Sequence, residues 1–324
     1  MRLCQTLVAL LLTGVGAAGQ GAGAGVAPAP LVDHHQHLIS PPIARLWAQP
    51  APVGADRLIP QLDAAGIRRA VVLSVAYAFG SAWTERPADE YAAVRAENDW
   101  TAEQTARYPD RLVAVCSINP LRDYALGEID RCAGNPRLRT ALKLHFANSG
   151  VNLRDAAHVV LLKRVFAAAN RHQMAIIAHI WTGDDRVAHP YDARDARTFL
   201  SEILPMAPDV PVQIAHLGGS GPRLDPGTSA AMTLLAEAVA NREPATEHVY
   251  FDIATNVMER SSEADAAFMA AHMRRIGLRR ILYGSDGPPN PLPADAWRIQ
   301  CQKLGLTPAE LEIIAHNVAP YMPR

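Results

Sequence analysis

The chain has 324 residues, 49% of them hydrophobic and 19% charged, with a formal net charge of -1. This is the composition of a core-forming globular protein, long enough for one large domain or two ordinary ones. The near-zero charge gives no reason to expect nucleic acid or an anionic membrane surface as a partner.

Residues 1–24 read as a secretory signal. Met1-Arg2 gives a positive start, Leu7 to Ala18 is apolar, and small residues follow from Ala17 to Gly25. That is the order of a signal peptide, and the apolar run is too short to span a bilayer. A Gly/Ala/Pro-rich, disordered leader is expected to run to about residue 30. The pattern predicts a periplasmic or secreted protein with no membrane partner once the signal is removed. Residues 31–324 are expected to form one domain.

The first strand candidate is Leu31-Val32-Asp33-His34-His35-Gln36-His37-Leu38. Alternate strand residues point the same way, roughly 6–7 Å apart, so His35 and His37 can close on one metal ion. Taken alone, a satisfied structural His is the commoner outcome for such a motif, so the rest of the chain must supply further ligands. Apolar, β-branched runs recur near 70–76, 111–118, 141–146, 174–180, 211–217, 249–254 and 280–285. Helix-period segments lie between most of them: Arg57 to Gly66, Ala156 to Arg171, Arg197 to Met206, Ser229 to Arg242, and Glu263 to Gly277. Gly66 and Gly277 look like helix stops. Cys116, Cys132 and Cys301 match no zinc-knot spacing. Buried thiols are the expected state, with one bridge as the alternative in an exported protein.

Strand-end positions 145, 179, 216, 252 and 286 are separated by 34, 37, 36 and 34 residues, about the length of a βα unit. Eight strands with intervening helices predict an α/β fold, a (β/α)8 TIM barrel, with two extra C-terminal helices over 294–324. No Gly-rich phosphate loop follows the first strand, which argues against a dinucleotide fold. In a parallel barrel the strand C-termini share one face, where active sites sit. Those ends carry His35 and His37, Lys143 and His145, His179, His216, and Asp286. Singly, each has another explanation: His179 as a core imidazole, His216 as a turn residue, Asp286 as a turn or helix cap. Consecutive strand ends are what a metal site needs.

These motifs, Asp33-x-His35-x-His37, His179, His216-Leu217-Gly218-Gly219 and Gly284-Ser285-Asp286, resemble the metal-dependent TIM-barrel hydrolases of the amidohydrolase superfamily. The chain is most similar to the amidohydrolase-related branch, which includes aminocarboxymuconate semialdehyde decarboxylase-like enzymes. The resemblance implies one divalent metal ion, with zinc favoured by a set of three imidazoles and one carboxylate. Its ligands would be His35, His37, His179 and Asp286. His216 and Asp286 would jointly handle the proton of an activated water. Some superfamily members bridge two metals with a carboxylated strand-four lysine. In this branch Lys143 is expected to be unmodified.

His145, Arg223 and Trp181 are the candidates for contacting substrate, Arg223 through a substrate carboxylate. Asp184 and Asp185 could wall the pocket with Trp181. Asp252 could orient a ligand. His158, His172 and His272 are expected on surfaces or at helix caps. Loops near 39–54, 77–98, 181–197, 219–228 and 287–296 should frame the entrance. The expected activity is hydrolysis of an amide, lactone or ester carbonyl in a small molecule. A nonoxidative decarboxylase of an aromatic or dienoic acid is the alternative, and a non-catalytic binding protein the third. A homo-oligomer is compatible with all three.

Overall fold

The computed structural model describes residues 27–81, 83–183, 190–222, 224–288 and 292–323. The signal expected over residues 1–24, and with it Cys4, lies outside them. Of the segment read as leader, residues 27–30 lie against the barrel: the Pro28 carbonyl accepts from Trp297 Nε1 at 3.0 Å.

Eight strands form the predicted barrel: β1 (Val32–Gln36), β2 (Arg69–Leu73), β3 (Leu112–Ser117), β4 (Ala141–His145), β5 (Ala175–His179), β6 (Val212–Ile214), β7 (Val249–Asp252) and β8 (Ile281–Leu282). They pair in sequence order, every neighbouring pair parallel. The circle closes through backbone bonds from His34 N to Tyr283 O (2.9 Å), Asp286 N to His35 O (2.7 Å) and His37 N to Gly287 O (2.8 Å). The closing seam therefore runs through the first strand's imidazoles and the residues around Asp286.

The helices are α1 (Pro41–Leu46), α2 (Ala55–Ala64), α3 (Glu90–Ala106), α4 (Ala125–Gly134), α5 (Phe146–Ser149), α6 (Ala156–Arg171), α7 (Ala193–Thr198), α8 (Pro226–Ala240), α9 (Glu263–Ile276), α10 (Pro293–Lys303) and α11 (Pro308–His316). The predicted span of α6 matches. Gly66 (φ 68°) and Gly277 (φ 96°) stop α2 and α9 in conformations that favour glycine. Three elements depart from expectation. The loops read near 39–54 and 77–98 contain α1 and the start of α3. The buried face of α3 is polar, with Glu97, Asn98, Thr101 and Thr105, so it shows no apolar stripe. The helix expected from Arg197 to Met206 starts earlier, as α7, and continues as a π-turn and a 3-10 turn ending at Met206. Among the described residues no helix is long and apolar enough to cross a membrane.

Strand alternation divides the core into two layers. Val72, Cys116, Leu142, Ile176 and Phe251 face the helices. Val71, Leu73, Val115, Ile177 and Leu282 fill the barrel interior, together with Ala319 and Met322 of the C-terminal tail. The tail closes the end opposite the strand C-termini, held by a bond from Arg69 Nη1 to Pro323 O (2.7 Å). Cys116 and Cys132 are joined in a disulfide from β3 to α4, which corrects the expectation of free thiols. Cys116 points outward on β3 and Cys132 inward on α4, so packing places the two together. Cys301 is free and partly buried. His158 and His172 are partly exposed. His272 is buried between α8 and α9, its Nε2 3.0 Å from Thr233 Oγ1.

Near the strand C-termini, Ser40 caps α1 and donates to the buried Glu97 Oε2 at 2.5 Å, while Glu97 Oε1 is enclosed without a partner. Burial pushes the Glu97 carboxyl from 4.5 up to about 7. A group whose folded pKa is raised holds its proton longer in the native state. Its presence is therefore neutral below about pH 4.5 and destabilising as pH rises towards and past 7. The gap corresponds to about 3 kcal/mol. Denaturant titrations should show Glu97→Gln gaining stability over the parent by up to about that amount between pH 4 and pH 8. A pH-independent difference would contradict the account.

Candidate metal centre

The barrel's mouth gathers the sequence-predicted imidazoles. His35, next to last in β1, has its Nδ1 3.0 Å from Asp252 Oδ2 on β7. The first residue after β1, His37, has its Nδ1 2.8 Å from the Leu73 carbonyl. His216 Nδ1 lies 2.6 Å from the Ala254 carbonyl. A carbonyl or carboxylate oxygen only accepts, so each of these rings has a proton on Nδ1, and Nε2 is the nitrogen turned away from that partner. Partners of this kind fix ring orientation and tautomer at metal sites. His35 Nε2 and His37 Nε2 each stand 3.3 Å from the same atom, Asp286 Oδ1. Two imidazole nitrogens and a carboxylate oxygen are turned towards one another there, with Lys143 Nζ 3.3 Å from His35 Nε2. That donor set fits a divalent cation.

His216 and Asp286 sit on turns just beyond their strands, not on the strand ends as expected. β6 stops at Ile214 and β8 at Leu282. His216 (φ 55°), Leu217 (φ 55°) and Asp286 (φ 57°) adopt left-handed backbone conformations. Such conformers in non-glycine residues concentrate at functional sites. A β-carbon on Gly284 would lie 2.7 Å from His35 Cβ, so glycine permits the close approach of β8 to β1. Asp33 braces the seam. Its Oδ1 accepts from His35 N and Ser285 N, both at 3.1 Å, and its Oδ2 from Ser285 Oγ at 2.6 Å and Gln36 Nε2 at 2.9 Å. Burial raises the Asp33 carboxyl to about 6 despite these donors.

Lys143 faces inward from β4, buried, with Nζ 3.3 Å from His35 Nε2. Burial draws it down to about 8, against the pull of Asp252 and Asp286. Burial and then Lys143 hold His35 down to about 4, so the ring is neutral near pH 7. Asp252 and Asp286 are held well below the usual carboxylate range: burial opposes their ionisation, but the surrounding groups together outweigh it, His35 and His216 at both and His37 also at Asp286.

His179 ends β5, and its Nε2 is enclosed without a partner. Its ring centre lies 4.6 Å from that of His216 and 4.2 Å from that of His145. Among the described residues, two groups of ligand atoms within 4.8 Å of one another involve the mouth: His35–His37–Asp286 and His35–His216–Asp252. His179 belongs to neither; it stands one ring away, across His216. His145 ends β4 and accepts from Asn148 N at Nδ1 (3.3 Å). Neutral His145 therefore carries its proton on Nε2, the opposite tautomer to His35. The ring of Trp181 lies 6.3 Å from that of His179, and its Nε1 donates to Thr228 Oγ1 at 3.2 Å. Arg223, Asp184 and Asp185 lie outside the described residues.

Sequence reasoning assigned no part to Tyr77, buried in the turn after β2 with its ring 5.0 Å from that of His145. The apolar stretch around it offered no signal. Gln213 went unassigned too, although as a polar residue inside an apolar strand it was visible.

His179→Ala should cost bound metal and activity together, while His216→Ala should cost activity and keep much of the metal. Metal analysis after dialysis separates the two. Full metal occupancy in His179→Ala would remove it from the ligand set.

A family model described as amidohydrolase matches residues 32–319. A search of curated proteins finds no match. Solved structures share the fold at low identity. A 2,6-dihydroxybenzoate decarboxylase from Rhizobium superposes with a TM-score of 0.58 at 15% identity, covering 89% of this chain and 96% of that one. A Burkholderia multivorans amidohydrolase with bound zinc gives 0.59 at 15%, covering 88% and 96%. A 5-carboxyvanillate decarboxylase from Novosphingobium aromaticivorans with bound manganese gives 0.58 at 13%, covering 89% and 95%. With its family model spanning the whole barrel from β1 to the tail, the chain belongs to the amidohydrolase family.

Proposed function

We propose that the chain is a divalent-metal-dependent, nonoxidative decarboxylase of a small aromatic or dienoic acid. The observation that carries this reading is the convergence of His35 Nε2 and His37 Nε2 on Asp286 Oδ1, with the Lys143 ammonium beside them. The first three form an acceptor set for a cation, and Lys143 adds positive charge where an acidic substrate would sit. Two of the similar structures are decarboxylases of aromatic acids, which supports this order over hydrolysis.

His35, His37 and Asp286 would hold the ion, with His179 as fourth ligand. Bound there, a divalent ion supplies Lewis acidity towards a substrate oxygen. Zinc is supported by the imidazole-rich donor set. The side chains do the rest. Asp252 holds His35 in its productive tautomer. His216 and Asp286, both acceptors at the mouth, take up and return the proton that the reaction moves. His145 offers its Nε2–H to a substrate oxygen. Trp181 forms the adjoining wall, and Arg223 would pair with a substrate carboxylate. A second reading, hydrolysis of an amide, lactone or ester, is favoured by the same His216–Asp286 pair, which could deprotonate water. The Cys116–Cys132 disulfide supports export to an oxidising compartment.

The test supplies purified, metal-loaded protein with hydroxybenzoic and dienoic acids, lactones, esters and amides. Release of carbon dioxide with equimolar decarboxylated product is expected. In deuterated water that product should carry deuterium at the vacated carbon. Turnover of lactones, esters or amides without carbon dioxide would place hydrolysis first.

A further inference from the structure

Four polar groups form an unbroken line from the closed end of the barrel to its mouth. Tyr321, on the C-terminal tail, has its hydroxyl 2.5 Å from Gln213 Oε1. Gln213 Nε2 donates to Asp252 Oδ2 at 2.7 Å and to the His34 carbonyl at 3.3 Å. Asp252 Oδ2 also accepts from His35 Nδ1 at 3.0 Å. The apolar inner core surrounds the line, and Gln213 and Asp252 are fully buried.

We infer that Tyr321 is a positioning residue for His35, acting across the barrel interior through Gln213 and Asp252. The direction of every bond is determined. Both partners of Gln213 Nε2 are acceptors, so the amide has one allowed orientation, with Oε1 towards the tail. An amide oxygen only accepts, so Tyr321 donates. The second oxygen of Asp252 is occupied by His216 N at 3.0 Å and Ala254 N at 3.2 Å. Asp252 can therefore not turn to compensate for a shift in Gln213. Without the phenol hydroxyl, the buried Gln213 Oε1 is left without its donor. The amide then moves towards water or inverts, and inversion sets Oε1 against Asp252 Oδ2, acceptor against acceptor. Either motion loosens the carboxylate that sets the tautomer and tilt of His35. Burial and the Asp252 carboxylate keep the phenol protonated, as a donor must be.

The inference rests on the proposed metal role of His35 only for its consequence in affinity. The experiment separates the two. In the full-length, metal-free protein, nitrogen-15 imidazole correlation spectra should show His35 as the Nδ1–H tautomer with a hydrogen-bonded proton far downfield; loss of that signal in His35→Gln assigns it. Tyr321→Phe should shift or broaden this proton and weaken zinc, measured by chelator competition, about 3- to 10-fold. That is below the 10- to 100-fold typical of a group bonded directly to a ligand. Arg69→Ala cuts a different tether of the tail, from Arg69 Nη1 to Pro323 O. It should lower thermal stability yet leave the His35 proton in place. An unchanged resonance in Tyr321→Phe, or the same shift in Arg69→Ala, would overturn the inference. A shifted resonance in a protein that binds no zinc would uphold the relay and overturn the metal reading.

Discussion

Asp286→Asn is expected to give a folded barrel that keeps no divalent ion through dialysis and loses at least about a thousandfold in turnover. The magnitude follows because Asp286 is proposed both as ligand and as proton acceptor, and groups that act as one unit fail together. Asp286 Oδ1 is the single atom on which His35 and His37 converge, at 3.3 Å from each. An amide in its place carries no charge, and its nitrogen is no ligand. The fold should survive. The backbone bond from residue 286 to His35 O does not involve the side chain, and asparagine tolerates the left-handed conformation (φ 57°) better than alanine would. Metal content and circular dichroism measured together give the answer. Retained metal with lost activity would restrict Asp286 to proton transfer.

Asp252→Asn should weaken metal binding about 10- to 100-fold and destabilise the fold by about 3 kcal/mol. This carboxylate takes bonds from His35 Nδ1, Gln213 Nε2, His216 N and Ala254 N, all donors. An asparagine must turn its NH2 towards one donor pair, setting donor against donor in a fully buried site. If the nitrogen faces His35, that ring loses the acceptor that holds its proton on Nδ1, and its Nε2 is no longer fixed. Chelator competition and thermal melts report the two effects separately. An unchanged metal affinity would mean that His35 is held by its strand alone.

The barrel could be read from the chain because β-branched runs recur at βα lengths and several of them end in a polar residue. Both follow from parallel strands buried on both faces. His145 and His179 end strands in continuous register, whereas His35 lies where β1 shifts register against β2 and His37 lies just past its end. Precision fails at His216 and Asp286. Their left-handed turns depend on Gly218, on the close packing at Gly284 and on the seam braced by Asp33, which are tertiary contacts with no local pattern. α3 escaped notice because its buried side binds through Asn98 and Glu97, not through an apolar stripe. Asp252 is legible as an orienting candidate, but its links to Gln213 and Tyr321 span the barrel, and sequence separation hides them. The Cys116–Cys132 pair was one of three combinations, chosen by the packing of α4 on β3.

Diffraction data collected at the zinc absorption edge from crystals of zinc-loaded protein put the central claim to its most direct trial. The account predicts one anomalous peak at the barrel mouth, at ~2.0–2.2 Å from His35 Nε2, His37 Nε2 and an Asp286 oxygen, with His179 drawn in as the fourth ligand. A peak away from those atoms, or none at full zinc loading, would contradict it.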